Sequence, residues 1–336
     1  MASELTFLLL AVLALSVLFD YINGFHDTAN AIATSVSTRA LRPEHAILMS
    51  ATANFVGALT GTAVAVTISS GLATTPDGPP GQVIVAAALV GAIIWNLITW
   101  RLGIPSSSSH ALIGGLLGAV AISEGVSAIN GQGVVDKVLI PLVLSPVLGI
   151  TIGFLFMVVI LNLFRRANPR HMNDRFRRLQ VGSAAFMAFS HGSNDAQKTM
   201  GIMTLALITA GVLPPGSPIP LWVIVLAASA ISLGTAAGGW RIIKTMGQRV
   251  VKLDPVHGFA AETTAASIIL TASHFGMPVS TTHVISSAIM GVGSSDRLSA
   301  VRWGVAGDIV IAWILTLPAA ALAAALAWLV LSPILL

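Results

Sequence analysis

Six long apolar runs constrain the fold of this chain more than any other feature. A helix needs about 20 mostly apolar residues to cross the hydrocarbon core of a bilayer. Only 9% of the 336 residues are charged, so a water-soluble fold is excluded. No ten-residue alternation of the barrel type is present, which predicts an all-α polytopic membrane protein. The apolar runs are 5–19, 46–70, 82–100, 137–164, 219–240 and 304–333.

The basic residues predict how the chain is threaded through the membrane. Six arginines lie between residues 165 and 178, and four more lysines and arginines lie between 241 and 252. The positive-inside rule places both clusters in the cytoplasm, so the sequence pI of 10.1 reflects orientation and not binding to nucleic acid. We expect about ten (10–12) transmembrane helices, some broken or re-entrant, with both chain termini outside.

An odd number of crossings in each half gives the two halves opposite orientations, as in many secondary transporters. We therefore predict an inverted-repeat secondary transporter. Residues 1–164 form the first repeat, 165–178 a basic cytoplasmic loop and 179–336 the second repeat. The segment 179–213 is expected to be a single broken span. The chain contains no cysteine, which excludes disulfides, thiolate metal sites and cysteine nucleophiles.

A motif with a buried acid occurs once in each half. Gly24–Asn30 and Gly192–Lys198 lie 168 residues apart and share their glycine and aspartate. A glycine beside a carboxylate and amides in mid-span predicts a break in the helix, where oxygen atoms bind a cation. A buried polar knot between two helices is the alternative. The cation-binding candidates are Asp27, Asn30, Asn194 and Asp195, with Asp27 and Asp195 as ligands of sodium or of no metal.

A second motif repeats 173 residues apart, in Gly103–His110 and Gly276–His283. Proline followed by serine predicts the start of a helix, whose free N–H groups and dipole favour an oxyanion. Two such starts facing each other would enclose a tetrahedral anion. Alternatively, each hydroxyl caps its own helix or bonds to a carbonyl one turn back. The candidate anion ligands are Ser106, Ser107, Ser108, Ser109, Ser280, Thr281 and Thr282.

Five further side chains are candidates for a proton or charge relay, because ionisable groups inside a membrane are costly to bury. Lys198 lies one turn after Asp195 and either pairs with a carboxylate or meets the anion directly. The histidines titrate near neutrality. Asp20 and Asp308 receive no role. The relay candidates are His26, Lys198, His110, His283 and Glu262.

Long strings of this sequence resemble the inorganic phosphate transporters of the PiT type, in their bacterial form. The resemblance implies secondary active import of phosphate by alternating access, in a multi-pass protein of the prokaryotic inner membrane that forms a homodimer. It also implies that the motif aspartates and asparagines bind the coupling cation and the hydroxyl loops bind phosphate. The matching strings are Asn23–Ala31, Trp95–Trp100, Pro105–His110, Ser190–Lys198 and Pro278–His283.

Two residues depart from the family signature Gly-Ala-Asn-Asp-Val-Ala-Asn. His26 replaces the first asparagine in one copy, and Lys198 replaces the last in the other. An ammonium beside Asp195 can neutralise the carboxylate that a sodium ion would otherwise satisfy. Coupling to protons, or carriage of a metal–phosphate complex, therefore stands beside sodium coupling. No cofactor is expected beyond the coupling ion.

Two other functions fit parts of the sequence. A symporter of sulfate or another oxyanion would use the same helix starts, but a carboxylate can accept the proton of monohydrogen phosphate, and sulfate carries none. An intramembrane hydrolase would need a nucleophile paired with a base, yet Ser109 and His110 are neighbours that do not face each other on a helix. We therefore expect a transporter and not an enzyme.

Overall fold

The computed structural model describes the backbone of residues 2–336 and the side chains of residues 5–168 and 170–336. The described chain is helical throughout and contains no β-strand. A π-helical turn joins α6 to α7. The helices are α1 Ala2–Ser37, α2 Pro43–Ala58, α3 Ala63–Ser70, α4 Pro79–Leu102, α5 Ser108–Ser123, α6 Gly131–Val134, α7 Ile140–Leu163, α8 Pro169–Thr209, α9 Leu221–Ala237, α10 Trp240–Lys244, α11 Pro255–His274, α12 Thr281–Asp296 and α13 Trp303–Leu335.

Four helical segments are long and apolar enough to cross a membrane, and six if each bent pair of helices counts as one span. The four are Leu5–Ser37, Pro79–Leu102, Gly131–Leu163 and Trp303–Leu335. The bent pairs are α2 with α3, at 69°, and α9 with the segment Trp240–Arg249, at 62°. Each of these six segments contains one of the six predicted apolar runs, to within two residues at either end, so the chain is an all-α multi-pass membrane protein.

The predicted count of ten crossings is not reached by length and composition alone. The helices α5 and α12 have only 16 residues each, and α8 and α11 carry many polar side chains. Such helices are too short or too polar to qualify as membrane spans by length and composition. The number of crossings therefore stays a prediction.

The expected helix breaks at the acidic motifs are wrong. Both α1 and α8 continue as α-helix through the motif, over 36 and 41 residues. The glycines serve close packing instead. A Cβ atom at Gly24 would lie 2.2 Å from the carbonyl oxygen of Ile231 on α9, and one at Gly192 would lie 2.2 Å from the carbonyl oxygen of Asn54 on α2. Small residues of this kind let membrane helices approach closely.

The contacts between the halves are reciprocal. The first helix of each half packs on the second helix of the other, α1 on α9 and α8 on α2. Likewise α5 packs on α13 while α12 packs on α7. A two-fold relation between the halves requires this exchange of partners. The halves are therefore interlocked and do not form separate bodies.

The helices that carry the acidic motifs run antiparallel. Along α1, Asp27 lies near His191 and Asp195 of α8. Further along α1, the Thr38 hydroxyl donates a hydrogen bond to the side chain of Gln180 on α8. As numbers rise on α1 they fall on α8. Opposite directions of the two motif helices follow directly from this order.

The repeated hydroxyl motifs form the same turn twice. Gly103 and Gly276 both take a left-handed conformation, with φ of 69° and 64°, just after a helix. The next residue in each case donates its N–H to a carbonyl five residues back, a Schellman motif. Glycine is required because a side chain strains this conformation. The two turns direct α5 and α12 back into the protein.

The predicted loop at 165–178 is mostly helical. The helix α7 ends at Leu163 and α8 begins at Pro169, so only a short turn lies between them. Proline suits the first helical turn, and the Asn168 side chain accepts a hydrogen bond from the N–H of Arg170 at 3.0 Å. Four of the six arginines therefore lie on the first turns of α8. The predicted repeat boundaries themselves stay a prediction.

Candidate functional site

The two acidic motifs and the two hydroxyl motifs meet in the interior of the protein. The motifs of α1 and α8 face the N-termini of α5 and α12 at one place. Every side chain that the sequence singled out there is buried, with at most 3% of its surface exposed. These side chains are His26, Asp27, Asn30, Ser106, Ser107, Ser108, Ser109, His110, Asn194, Asp195, Lys198, Ser280, Thr281, Thr282 and His283.

Lys198 connects three parts of this site. Its ammonium group donates hydrogen bonds to the Asp195 carboxylate, to the Ser109 hydroxyl and, at 2.9 Å, to the carbonyl oxygen of Val279. From the sequence, the partner of Lys198 was either a carboxylate or the anion. Lys198 forms the ion pair with Asp195 and also reaches the start of α5. One buried positive charge thus lies at the junction of both hydroxyl motifs.

Asp195 is surrounded by donors. Besides Lys198, its Oδ2 accepts a hydrogen bond from the Thr281 hydroxyl at 3.0 Å and lies 3.0 Å from Nε2 of His191. The other ring nitrogen of His191 lies 3.0 Å from the side-chain oxygen of Asn54 on α2. Both carboxylate oxygens of Asp195 are therefore already engaged.

Asp27 has fewer partners of its own. Nδ1 of His26 lies 2.6 Å from Oδ1 of Asp27, and Nε2 of His26 lies 3.0 Å from the Thr99 hydroxyl on α4. The Ser106 and Ser108 hydroxyls each lie 3.5 Å from the same ring. His26 therefore connects the first acidic motif to the first hydroxyl motif.

Equivalent positions in the two motifs make equivalent contacts, although the residues differ. Asn30 and Lys198 are paired by the repeat, and they bind the paired hydroxyls of Thr282 and Ser109, the former at 2.9 Å. Asn30 also donates to Thr281 at 3.3 Å.

A second pair of equivalent positions behaves in the same way. His26 lies 3.0 Å from Thr99 on α4, and Asn194 donates to Ser273 on α11 at 2.8 Å. Thr99 lies four residues before the Schellman glycine of its half and Ser273 lies three residues before its own, so the two hydroxyls are adjacent and not identical positions of the repeat. The repeat therefore keeps a hydroxyl contact near the end of the preceding helix while changing the chemistry of the side chain.

The starts of α5 and α12 face each other. The Ser107 and Ser280 hydroxyls cap these helices by accepting from the backbone N–H groups of His110 and His283, at 3.1 and 3.2 Å. The rings of His110 and His283 lie 4.8 Å apart, and His283 stacks on Trp313 at 4.1 Å. Ser107 and Ser280 therefore cap their own helices, which is the alternative role. The other hydroxyls of the two motifs make their contacts with residues outside their own helix.

Glu262 lies apart from this site, one level further along α1. Its carboxylate accepts hydrogen bonds from Thr34 at 2.5 Å, from Gln180 at 3.1 Å and from Ser183. All four side chains are buried. The structure therefore does not bring Glu262 into contact with the other relay candidates, and its partners are neutral.

Asp27, His191 and Asp195 are arranged as a metal site would be. One ligand atom from each lies within 4.8 Å of the others. An oxygen and nitrogen donor set of this kind suits a divalent transition metal, while carboxylates with hydroxyl and amide oxygens suit sodium. Lys198 competes with any such cation for Asp195, because it already supplies the positive charge.

Sequence reasoning missed several residues of the site. His191, Thr99 and Ser273 were not among the candidates, although each lies within 3.0 Å of one, and Asn54 was missed as the partner of His191. His191 had a signal, since it lies one helical turn before Asp195 on the same face. Asn54, on α2, had no such signal, because the sequence alone does not show which helices lie next to each other.

The comparisons with known proteins agree with this arrangement. Residues 23–324 match the phosphate transporter family. The chain belongs to that family. It is 48% identical, over 98% of its length and 99% of the relative's, to a probable low-affinity inorganic phosphate transporter of Bacillus subtilis. A probable low-affinity inorganic phosphate transporter of Rhizobium meliloti is also 48% identical, over 96% of both chains.

Among solved structures, a chain described as the sodium-dependent phosphate transporter shares the fold. It superposes with a TM-score of 0.89 at 27% identity, covering 97% of this chain and 99% of that one. The resemblance drawn from the motifs is thus confirmed, and so is the membrane-transporter fold. The family covers both acidic and both hydroxyl motifs, since all four lie within residues 23–324.

Proposed function

We propose that this chain is a secondary active transporter that imports inorganic phosphate, with the anion bound where the starts of α5 and α12 meet. The observation that carries the proposal is Lys198, which reaches the Ser109 hydroxyl and the Val279 carbonyl at the meeting point of the two helix starts. Helix N-termini, hydroxyls and a buried ammonium are together the chemistry that binds a tetrahedral oxyanion. The names of the relatives support phosphate as that anion.

The charges at the site favour co-transport with a cation. Asp27, Asp195 and Lys198 together carry a net charge of −1 when the histidines are neutral. Adding monohydrogen phosphate would leave three negative charges uncompensated in a buried site. Burying unpaired charge is very costly, so the anion must arrive with protons, sodium or a metal ion. The charge of the site therefore favours coupling of phosphate transport to a cation.

The identity of the cation is narrowed by Lys198. The ammonium group of Lys198 is already paired with Asp195. A sodium ion would therefore have to displace this ammonium group, or bind through Asp27, Asn30 and Asn194 alone. A proton needs no ligand cage. A metal–phosphate complex could use Asp27 and His191, with the metal as cargo. We infer proton coupling or metal–phosphate carriage for this chain, although the sodium-dependent structural relative keeps sodium as the competing possibility.

Alternating access between inverted repeats accounts for the architecture. The motif helices α1 and α8 run antiparallel, and the halves exchange partners reciprocally. Rocking of one set of helices against the other would expose the central site to each side in turn. With the arginine-rich start of α8 in the cytoplasm, both termini face outside, and the protein lies in the inner membrane of a prokaryote, surrounded by lipid and paired as a homodimer.

The contacts of Lys198 bear on the hydrolase alternative, and together they argue against catalysis. Lys198 contacts Ser109, and a neutral lysine can serve as a base for a serine nucleophile. However, the same side chain is paired with Asp195 and serves as the counter-ion of that carboxylate. The geometry favours a binding role over a catalytic one.

Transport assays with purified protein in liposomes test the proposal. Labelled phosphate should accumulate inside against its gradient when a proton gradient is imposed, and labelled sulfate should not. Equal uptake of phosphate and sulfate would support the oxyanion symporter instead. Uptake that only equilibrates would indicate a channel. Repeating the assay with a sodium gradient, and with Mg²⁺ or Mn²⁺ added or chelated, separates the three coupling modes.

A further inference from the structure

Asp20 is a buried carboxyl group that the proposed mechanism does not use. It lies two turns before Asp27 on the same face of α1 and is fully buried, with 0% of its surface exposed. Seven helical residues span about 10 Å, so Asp20 occupies its own level of the bundle. Along α1 the carboxyl groups thus stand at three levels, Asp20, then Asp27 with Asp195, then Glu262 beside Thr34.

The surroundings of Asp20 leave several polar atoms without partners. Asn23 approaches its Oδ1 at 3.5 Å, and the Thr199 hydroxyl of α8 lies beside the carboxyl group. Within the described residues, three buried oxygen atoms at this level find no hydrogen bond, namely Asp20 Oδ2, Asn23 Oδ1 and Thr199 Oγ1. Of the three, only the Thr199 hydroxyl has a proton to donate, so at least one oxygen stays unpaired unless a further proton or cation is bound there, because buried polar groups are rarely left without a partner.

Among the side chains that the structure describes, no cation is free to pair with Asp20. The helices that pack most extensively on α1 are α9, α8 and α4. The helix α9 has no ionisable residue, and the one on α4 is Arg101 at its far end. On α8, Asp195 repels a negative charge at Asp20 and Lys198 attracts it, but Lys198 is bound to Asp195. An ionised Asp20 would therefore be an unpaired buried charge.

A single proton bound to Asp20 would remove both the unpaired charge and most of the unpaired polar atoms. Protonated Asp20 gains a donor at Oδ2, which can be given to the unpaired oxygen of Asn23 or Thr199. One proton then removes the charge and satisfies two of the three orphan atoms. A sodium ion would instead have to be held by the Asp20 carboxylate with the oxygens of Asn23 and Thr199.

Polar side chains lie between Asp20 and the central site. Near their starts, Phe7 and Leu8 of α1 line a common cavity with Pro79 and Pro80 of α4, and further along the Phe25 and Trp100 rings lie 5.4 Å apart. The two helices therefore run parallel. Asn23 and Asn96 each lie three residues before the contacting pair His26 and Thr99, which puts both amides at one level between Asp20 and Asp27. Both amide atoms of Asn96 also lack partners.

The nearest opening lies on the side of the α1 N-terminus. A cavity of about 440 Å³ is lined there by Leu5, Asp77, Gly78 and Thr209. Thr209 lies ten residues after Thr199 on α8, roughly 15 Å further towards that surface. The proposed topology places this surface outside, where a proton for import originates.

We propose that Asp20 is a proton-binding site that couples phosphate import to the proton gradient: it takes up one proton from the outer side and releases it inward in each cycle. The proposal rests on the proposed transport function and deepens it by naming the coupling ion and its carrier. The second half has Ala188 at the equivalent position, so this site has no copy.

The experiment compares two activities of Asp20→Asn in liposomes. Asparagine keeps the shape but cannot bind and release a proton. We expect uptake driven by a proton gradient to fall at least tenfold, while exchange of labelled for unlabelled phosphate, at equal concentrations and without a gradient, stays within twofold. The matched control is Asp308→Asn, an exposed carboxyl group on α13, which should change neither activity.

Asp20→Glu provides a second variant if Asp20→Asn does not fold as judged by gel filtration. It keeps the carboxyl group and should retain proton-driven uptake with a shifted pH dependence. Unchanged proton-driven accumulation in Asp20→Asn would overturn the inference, as would an unshifted pH profile in Asp20→Glu. Loss of exchange in folded Asp20→Asn would assign Asp20 a structural or substrate role, and loss confined to sodium-driven uptake would make it a sodium site. If the unmodified protein exchanges no phosphate, the proposed function itself fails.

Discussion

The two copies of the acidic motif occupy matching places in the bundle but differ in charge. In the second copy, Asp195 is held by Lys198, Thr281 and His191. In the first copy, Asp27 has the neighbouring His26, and Asn30 stands where the lysine would be. The comparison teaches that one half provides a fixed positive charge and the other half leaves its carboxylate available. The repeat keeps the contacts, and the differences set the chemistry.

Removing the fixed charge tests this comparison most severely. Lys198→Asn gives the second copy the residue of the first and leaves Asp195 without its counter-ion. Breaking a buried ion pair costs about 3–5 kcal/mol, so we expect a large loss of stability and at least a tenfold loss of proton-driven phosphate uptake. Added sodium should recover part of both, because Asp195 is then free to bind it. Liposome uptake with imposed sodium or proton gradients and melting in detergent measure these effects.

The control for this change is Lys244→Asn, an exposed lysine on α10, which should alter neither stability nor uptake. If Lys198→Asn keeps the ion dependence of the unmodified protein, the argument that Lys198 removes a sodium site is wrong.

The available carboxylate gives the next prediction. Asp27→Asn removes the group that can accept the proton of monohydrogen phosphate, so phosphate uptake should fall about 10–100-fold, the effect of one charged hydrogen bond of about 1.5–3 kcal/mol. Sulfate uptake should not increase. Parallel uptake of both labelled anions by the variant and the unmodified protein measures the ratio. A variant that gains sulfate transport while losing phosphate would show that Asp27 excludes sulfate by charge and does not select phosphate by its proton.

The glycines test whether the two copies pack alike. In Gly24→Ala and Gly192→Ala the new methyl group meets a backbone carbonyl at 2.2 Å in both cases. Overpacking of this kind costs about 1–3 kcal/mol, so both variants should melt at similarly lower temperatures in detergent. Gly182→Ala on α8 is the control, since nothing lies within 4 Å and alanine favours a helix. A clear loss at only one of the two sites would contradict the reciprocal packing.

The same glycines show where sequence reasoning succeeded and where it failed. The paired motifs, the apolar runs and the helix starts at Ser107 and Ser280 followed from residue types and spacing. The continuous helices at Gly24 and Gly192 did not, because a glycine in mid-span is compatible with either a break or a close contact. Only the position of α2 and α9 decides between them. Asn54 was missed for the same reason, since its partner His191 comes from a different helix.

The helix caps offer a smaller effect. Ser107→Ala and Ser280→Ala each remove one capping hydrogen bond to a backbone N–H. Loss of an N-cap costs about 1 kcal/mol, so each variant should show a modest and equal drop in melting temperature. Phosphate should stabilise both variants less than it stabilises the unmodified protein if the helix starts bind the anion. Ser295→Ala, near the end of α12, is the control and should leave the stabilisation by phosphate unchanged.

The smallest change makes the first copy resemble the second. His26→Asn replaces the imidazole by the amide found at Asn194, which contacts the Ser273 hydroxyl near the end of α11 in the other half. An amide can still reach Thr99, so the fold should tolerate the change with less than about 1 kcal/mol of destabilisation, the worth of one neutral hydrogen bond. Uptake at neutral pH should fall only a few-fold. The contact between His26 and Asp27 is the one bond that the amide does not reproduce. Melting in detergent and liposome uptake, measured for His26→Asn and Asn194→Ala, check this expectation, and a loss of uptake as large as that of Asp27→Asn would contradict it.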